Sequence, residues 1–415
     1  MILSLLNPRA LNKCDVYIAL WCLYFLQGVL YPVGGFVSQS LLMGLLVYSL
    51  YFLFYANSHY VMPSYYKGLN ALLGIFICYG VFMLLIHGSK IYSPMGQSIV
   101  TKNYLQIILS SFLPLYPLYV FAKEGLLTTR RMRVWTILFF IVATACFFRE
   151  ERERLSRLIL EGSQAEEVTN NSGYTMLTLI PLLVLFKRWP IIQYIGMGFI
   201  MYFVTIAMKR GAIIVGVLCL VYFLYSTFRN SSSKTKFGLI LLTCCIAYIG
   251  SAFISDYAEN SAYMQSRIED TKAGNTSGRD VYYNALWNHF LTESGPVEMI
   301  IGNGAEGAFY SVGYIAHNDW LEILLGQGLL GVLIYIIYWT VFLKTWKNAL
   351  NPDVKIIVGI VFLIFFTKTD IPFNQFFFIE FSGDPDHNFV QVIINSFFSG
   401  CLQCIKAIRF QIFLV

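Results

Sequence analysis

Charge is what this sequence has least of: Asp, Glu, Lys and Arg make up 13% of its 415 residues, roughly half the usual share. Hydrophobic residues make up 57%. A soluble domain of that size could not be covered by polar surface, so lipid must be the outer solvent. The alternating ten-residue strands of a membrane barrel are missing too. The apolar runs extend for about 17 to 22 residues, the length at which a helix satisfies its own backbone while crossing a bilayer. Nine cysteines, Cys14, Cys22, Cys78, Cys146, Cys219, Cys244, Cys245, Cys401 and Cys404, fall in or beside these runs, leaving none in the polar segments for a disulfide framework. Cys401 and Cys404 are spaced C-x-x-C but have no second pair, and they read as packing rather than zinc or redox. There is no internal repeat of the kind that marks inverted-repeat transporters. A basic-aromatic pattern for nucleic acid is absent, as is a small-x-small cleavage site after the first apolar stretch.

What is present is an all-α pattern, a polytopic transmembrane helical bundle of about twelve spans. The runs lie near 15–32, 36–56, 68–87, 103–122, 132–148, 173–187, 190–208, 212–228, 237–256, 321–343, 354–368 and 388–404. The sixth and eleventh are short enough to be tilted, broken or partly re-entrant. With the N-terminus inside, the inner segments carry seventeen of the 29 basic residues, from Arg9 and Lys13 through Arg130, Arg131 and Arg133 to Lys406 and Arg409. They carry only three acids, Asp15, Glu124 and Asp353. The opposite orientation would invert this asymmetry, so both termini are expected to face the cytoplasm. The net charge of +6 is then anchoring charge beneath a membrane.

Residues 1–415 read as a single membrane domain, with one large polar loop, 257–320, inserted between spans nine and ten on the outer face. A second outer segment opens with the mixed-charge run Arg149-Glu150-Glu151-Arg152-Glu153-Arg154, which reads as a solvated helix end. In the large loop, Asn275, Thr276 and Ser277 offer N-cap oxygens to a helix over Arg279 to Leu291, and Gly302-Asn303-Gly304 reads as a turn.

Charge near a bilayer must be paired, solvated or used, which singles out Arg210, Arg279 and His317. Arg210, in Lys209-Arg210-Gly211, fits either an interfacial anchor between two helix ends or a guanidinium fork for phosphate. Arg279, in Ser277-Gly278-Arg279-Asp280, fits either a local salt bridge to Asp280 or Asp270 or an anion site at a helix start. His317, in His317-Asn318-Asp319-Trp320-Leu321-Glu322, could be a structural histidine or take a proton near neutral pH. His317, Asp319 and Glu322 could ligate a metal, but no H-x-x-x-H or D-x-D spacing surrounds them, and no metal or cofactor is expected. Nucleophile-elbow, Walker and dinucleotide motifs are missing. Aromatics such as Tyr283 and Trp320 could stack on sugar rings, although interfacial belts have the same composition.

The order and sidedness of these motifs resemble the O-antigen polymerase and O-antigen ligase superfamily of bacterial envelope enzymes. The likeness covers about residues 200 to 345. It rests on Lys209-Arg210-Gly211, Ser277-Gly278-Arg279-Asp280 and Ala316-His317-Asn318-Asp319-Trp320-Leu321-Glu322, followed by Gly326-Gln327-Gly328-Leu329-Leu330-Gly331. The resemblance implies a membrane-embedded, metal-independent, inverting glycosyltransferase of the bacterial inner membrane, with the large loop as a helical periplasmic cap. Its implied donor and acceptor are undecaprenyl-diphosphate-linked glycans, and a chain-length regulator and a flippase are implied partners. Arg210 and Arg279 would neutralise the diphosphate, and His317 would activate the acceptor hydroxyl with Asp319. Lys209, Asp280, Asn318, Glu322, Tyr283 and Trp320 would line the substrate site. The 316–322 motif looks more like polymerases of O-antigen or capsule repeats than like ligases, which pass the polymer to lipid A-core. A lipid-linked oligosaccharide flippase is the rival of another class, and it would need charges inside the spans, where this sequence has almost none.

Overall fold

A computed structural model describes residues 12–161, 170, 172–186, 188–207, 210–229, 236, 269, 279–313 and 318–348. The expected spans 237–256, 354–368 and 388–404 lie outside the described residues. Helix dominates, in the order α1 (Lys13–Phe25), α2 (Phe36–His59), α3 (Ser64–His87), α4 (Thr101–Phe112), α5 (Leu115–Lys123), α6 (Thr129–Glu161), α7 (Ser172–Leu177), α8 (Ile180–Leu183), α9 (Pro190–Ile206), α10 (Arg210–Arg229), α11 (Arg279–Asn288), α12 (Pro296–Ile301), α13 (Gly307–Val312) and α14 (Asp319–Asn348). A small antiparallel hairpin, β1 (Lys90–Tyr92) and β2 (Ser98–Val100), joins α3 to α4. Among the described residues, five helical stretches are long and apolar enough to cross a membrane: Phe36–His59, Tyr66–His87, Tyr104–Lys123, Thr129–Ser156 and Asp319–Lys344.

Several spans are less regular than their hydropathy implies. The first, expected over 15–32, is helical only to Phe25. Gly28 then adopts a left-handed φ of 79° and Pro32 closes the turn. The fourth is interrupted between α4 and α5 at Pro114. The sixth is divided into α7, α8 and a 3-10 turn (Val184–Phe186) around Pro181. Proline has no N–H to donate and crowds the preceding turn, so an apolar run containing it need not be one straight helix. Both broken spans sit inside the bundle, with Leu115 to Ala122 and Ser172 to Leu183 buried, where surrounding protein can satisfy irregular backbone.

Lys13, Arg131 and Arg133 meet acidic and aromatic partners at one end of the bundle. Asn12 and Asp15 form a reciprocal N-cap on α1, with hydrogen bonds of 3.0 and 3.1 Å. Asp15 is 1% exposed; it accepts from Arg131 and, at 2.9 Å, from the Trp135 indole, both on α6. Lys13 pairs with Glu124 at 2.6 Å. Arg133 donates to the Leu185 carbonyl and stacks 4.8 Å from the Trp189 ring centroid. Residues that the sequence groups by charge thus meet in space.

Small residues mark the close helix contacts, as expected where lipid supplies no hydrophobic drive for association. A Cβ on Gly80 would lie 2.4 Å from Leu105, one on Gly196 2.5 Å from Leu183, and one on Gly216 2.8 Å from Met201. Large aromatic residues fill the remaining interior, including the fully buried Tyr17, Trp21, Tyr24, Tyr66, Tyr116 and Phe121.

Candidate functional site

Helix α14 begins where the loop motif ends. Asn318 caps it, its Oδ1 accepting from the Trp320 and Leu321 amides at 2.9 and 3.4 Å. Asp319 and Glu322 occupy the first turn, where the helix dipole favours negative charge. At Gly328 the backbone leaves the helix with φ 65° and ψ −164°. The chain then folds back on itself. The Trp320 and Tyr335 rings meet edge-on at 4.8 Å, the Tyr335 hydroxyl donates to Asp319 Oδ2 at 3.5 Å, and a Cβ on Gly331 would lie 3.1 Å from Ile323 Cγ2. In a straight helix, residues 319 and 335 would be separated by about 24 Å. The expected tenth span, 321–343, is therefore corrected to two arms, 319–327 and 329–348, meeting at a bend. Only glycine fits that bend, because a Cβ at 328 would also fall 2.4 Å from the Ile300 carbonyl oxygen.

Residues of the segment between α12 and α13 satisfy the interrupted helix. Asn303 N–H donates to Leu325 O and Gly304 N–H to Gly326 O, each at 2.8 Å. Gly302, Gly304, Gly307 and Gly326 allow this backbone-to-backbone approach. Broken helices of this kind are tolerated at membrane depth only when enclosed by protein or when lining a polar cavity.

The bend collects buried polar groups. Glu322 is 4% exposed, Glu306 8% and Gln327 1%. The Gln327 amide donates to the Tyr104 hydroxyl at 3.3 Å, and the charges of Glu306 and Glu322 both act on Tyr104. Gln327 Oε1 has no partner among the described residues. Glu306 holds a left-handed φ of 60°, a strained conformation for a side-chain-bearing residue, of the kind that concentrates at functional sites. A mixed carboxylate, amide and phenol cluster can accept hydrogen bonds from hydroxyl-rich ligands and can orient them.

The loop rests on this cluster as a cap. Leu286 and Phe290, at α11 and the π turn after it (His289–Glu293), pack with Ala308, Leu324 and Leu325. Tyr79 donates to Ile301 O, and the Tyr310 ring lies 4.8 Å from His87. The cap is thus seated at the His87 end of α3. Tyr338, far along the second arm of α14, approaches Gly68 at the other end.

Of the residues expected at the site, Lys209 and His317 lie outside the described residues. Arg210 begins α10, while Arg279 and Asp280 begin α11, so the expected loop helix forms where its sequence places it. Tyr283 is half-buried on α11. Asp319, Trp320 and Glu322 are brought together on α14 behind the Asn318 cap. The packing partners of α10 are α9 and α7, whereas those of α14 are α12, α3, α13 and α11. Glu306, Gln327 and Tyr104 are absent from the sequence-based set. The paired glycines of Gly302-Asn303-Gly304 and Gly326-Gln327-Gly328 are the signal that could have found the first two; nothing local marks Tyr104.

A second polar cluster lies at the far end of α6. The helix runs unbroken through the mixed-charge segment to Glu161, but its expected solvation is corrected: Arg149 is 3% exposed and Glu150 7%. The α1–α2 turn and α7 close over them because Gly28 and Ser172 provide backbone without bulk. Arg149 Nη1 donates to Gln27 O, and the Ser172 amide donates to Glu150 Oε2 at 2.7 Å. Further along, Glu151 and Arg154 pair at 2.5 Å while still largely covered, and of the run only Arg152 is exposed.

The apolar groove between α1 and α2, about 770 Å³, is lined by Val16, Leu20, Phe36, Val37 and Leu41. By the length and composition of its helices, the chain belongs to the helical membrane class. No family model matches it, and no curated protein is similar to it.

Proposed function

We propose that this protein is a bacterial inner-membrane glycosyltransferase, with about twelve spans and both termini cytoplasmic, that polymerises undecaprenyl-diphosphate-linked oligosaccharide repeats on the periplasmic face. The observation that carries the reading is the broken helix α14 beneath its loop cap, which buries Glu322 and Gln327 beside Tyr104 and Glu306 directly after the His317-Asn318-Asp319 motif. Ionisable groups at membrane depth are expensive, and their presence under a cap favours chemistry over scaffolding. They also lie beside the loop rather than along a transbilayer path, which favours transfer over export.

In this reading the acceptor hydroxyl oxygen attacks the anomeric carbon and its proton passes to His317, oriented by Asp319. The bond from that carbon to the diphosphate oxygen breaks, and the diphosphate leaves with the electron pair. Arg279 and Arg210 stabilise the charge that develops on it. Attack opposite the leaving group inverts the anomeric centre.

The test is the glycan profile of cells carrying Arg279→Ala or His317→Ala. Long-chain glycan should disappear while the protein stays in the membrane, leaving single repeats on lipid A-core. Normal chain lengths in both variants would overturn the reading. Accumulation of free lipid-linked polymer would reassign the protein as a ligase.

A further inference from the structure

We propose that the Nε/Nη2 edge of Arg149 is an oxyanion site for the diphosphate of a lipid-linked ligand, beside the hairpin that carries Arg210. The guanidinium is buried, yet only Nη1 is engaged, on Gln27 O. Nε and Nη2 have no partner among the described residues. Those two nitrogens share one edge of the guanidinium plane, the edge that meets two oxygens of a phosphate at once. Glu150 acts on Arg149 through its charge but makes no hydrogen bond to this edge: one of its oxygens accepts from the Ser172 amide and the other has no hydrogen-bond partner among the described residues. The Gln27 amide nitrogen, on the residue that holds Arg149, is a further buried donor without a partner.

The surroundings of this guanidinium are built rather than accidental. Gly28 closes on the Arg149 stem so tightly that a Cβ there would lie 2.5 Å from Cδ. Gln27 Oε1 is itself fixed by the Ser38 hydroxyl at 2.6 Å. On the other side, Gly173 follows Ser172, and a Cβ at 173 would lie 2.7 Å from that of Ala207 and 4.0 Å from that of Ala212. The ends of α9 and α10 that carry Ala207 and Ala212 therefore pack against α7. Arg149, on α6, and the start of α10 thus both adjoin α7, and the Nε/Nη2 edge that Glu150 leaves unbonded is the one a second oxyanion would meet.

The identity of the ligand rests on the glycosyltransferase reading; the oxyanion site does not. The experiment is calorimetric titration of inorganic diphosphate into the full chain in phosphatidylcholine nanodiscs at low salt. Saturable binding is expected. Arg149→Lys, which keeps the charge but loses the planar edge, should weaken it about tenfold or more. Gly28→Ala should weaken it without changing any charged residue. Circular dichroism and elution volume establish that each variant is folded. Unchanged affinity in folded Arg149→Lys overturns the site. Nanodiscs containing phosphatidylglycerol separate the two phosphate sources: displacement of diphosphate by that lipid would make the site a headgroup clamp and overturn the donor assignment. The assay contains no glycan, so a negative result here and a negative glycan profile fail independently.

Discussion

Trp320 and Tyr335 sit fifteen residues apart in the chain, yet their rings meet at 4.8 Å. A continuous helix would separate their backbones by about 22 Å. The contact exists because Gly328 turns the chain back on itself, and that bend places Glu322 and Gln327 beneath the cap.

Gly328→Ala should therefore be severely destabilising. A left-handed conformation costs a residue with a Cβ about 1 to 2 kcal/mol, and the clash with Ile300 O adds to it. Gly74→Ala is the matched control, since a Cβ there meets nothing within 4 Å, and it should be neutral or slightly stabilising. Thermal unfolding of the detergent-solubilised protein measures both. Equal midpoints for the two variants would contradict the bend.

Glu322→Gln preserves shape and removes charge. Under the proposed function it should abolish or sharply shorten long-chain glycan, with membrane levels unchanged. Tyr104→Phe, which loses the hydroxyl partner of Gln327, should cost about 1 kcal/mol of stability and shorten glycan less. Electrophoretic profiles of cell-surface glycan read the first effect; wild-type lengths in Glu322→Gln would remove this carboxylate from the mechanism.

Asp15→Ala should be among the most damaging changes at the basic end of the bundle. It strips partners from Arg131 and from the Trp135 indole and breaks the α1 cap. Breaking a buried pair costs about 3 to 5 kcal/mol, and partial exposure of Arg131 brings the expectation to the lower end of that range. A loss below about 1 kcal/mol in the same unfolding assay would show the triad to be weakly coupled.

The Lys13–Glu124 pair predicts an alkaline dependence. The Glu124 hydrogen bond is the largest influence on Lys13 and raises its pKa above the ordinary 10.5. A raised folded-state pKa means the contribution is fully present below the unfolded value and disappears as pH rises through the folded value. Lys13→Gln should thus differ from wild type at pH 8 and converge with it as pH rises through the raised folded-state value. A constant difference across that range would contradict the pairing.

Much of this architecture was legible in the amino-acid order. Eight of the expected spans, from 36–56 to 212–228 and 321–343, coincide with described helices or their broken equivalents, because a run of apolar residues has no alternative to internal hydrogen bonding in lipid. The loop helix at Arg279 was legible as well. Straightness was not. Pro114 and Pro181 hinted at breaks, whereas Gly328 looked like one glycine among several in an apolar helix. Burial of Arg149 was hidden for the same reason: the run from Arg149 to Arg154 is polar all round, and only the α1–α2 turn and α7 decide which of its residues are covered.

The sequence by itself determined that this chain partitions into lipid as helices, which ends carry the basic charge, and which loop is large enough to form a cap. Those properties depend on composition and spacing along one segment at a time. Only the tertiary structure decided that α14 folds back at Gly328, that Tyr104 and Glu306 share its polar pocket, and that Gly28 closes on Arg149 while Gly173 admits the ends of α9 and α10. These depend on contacts between residues tens to hundreds of positions apart, where the fit of a single missing Cβ against a distant backbone sets the outcome.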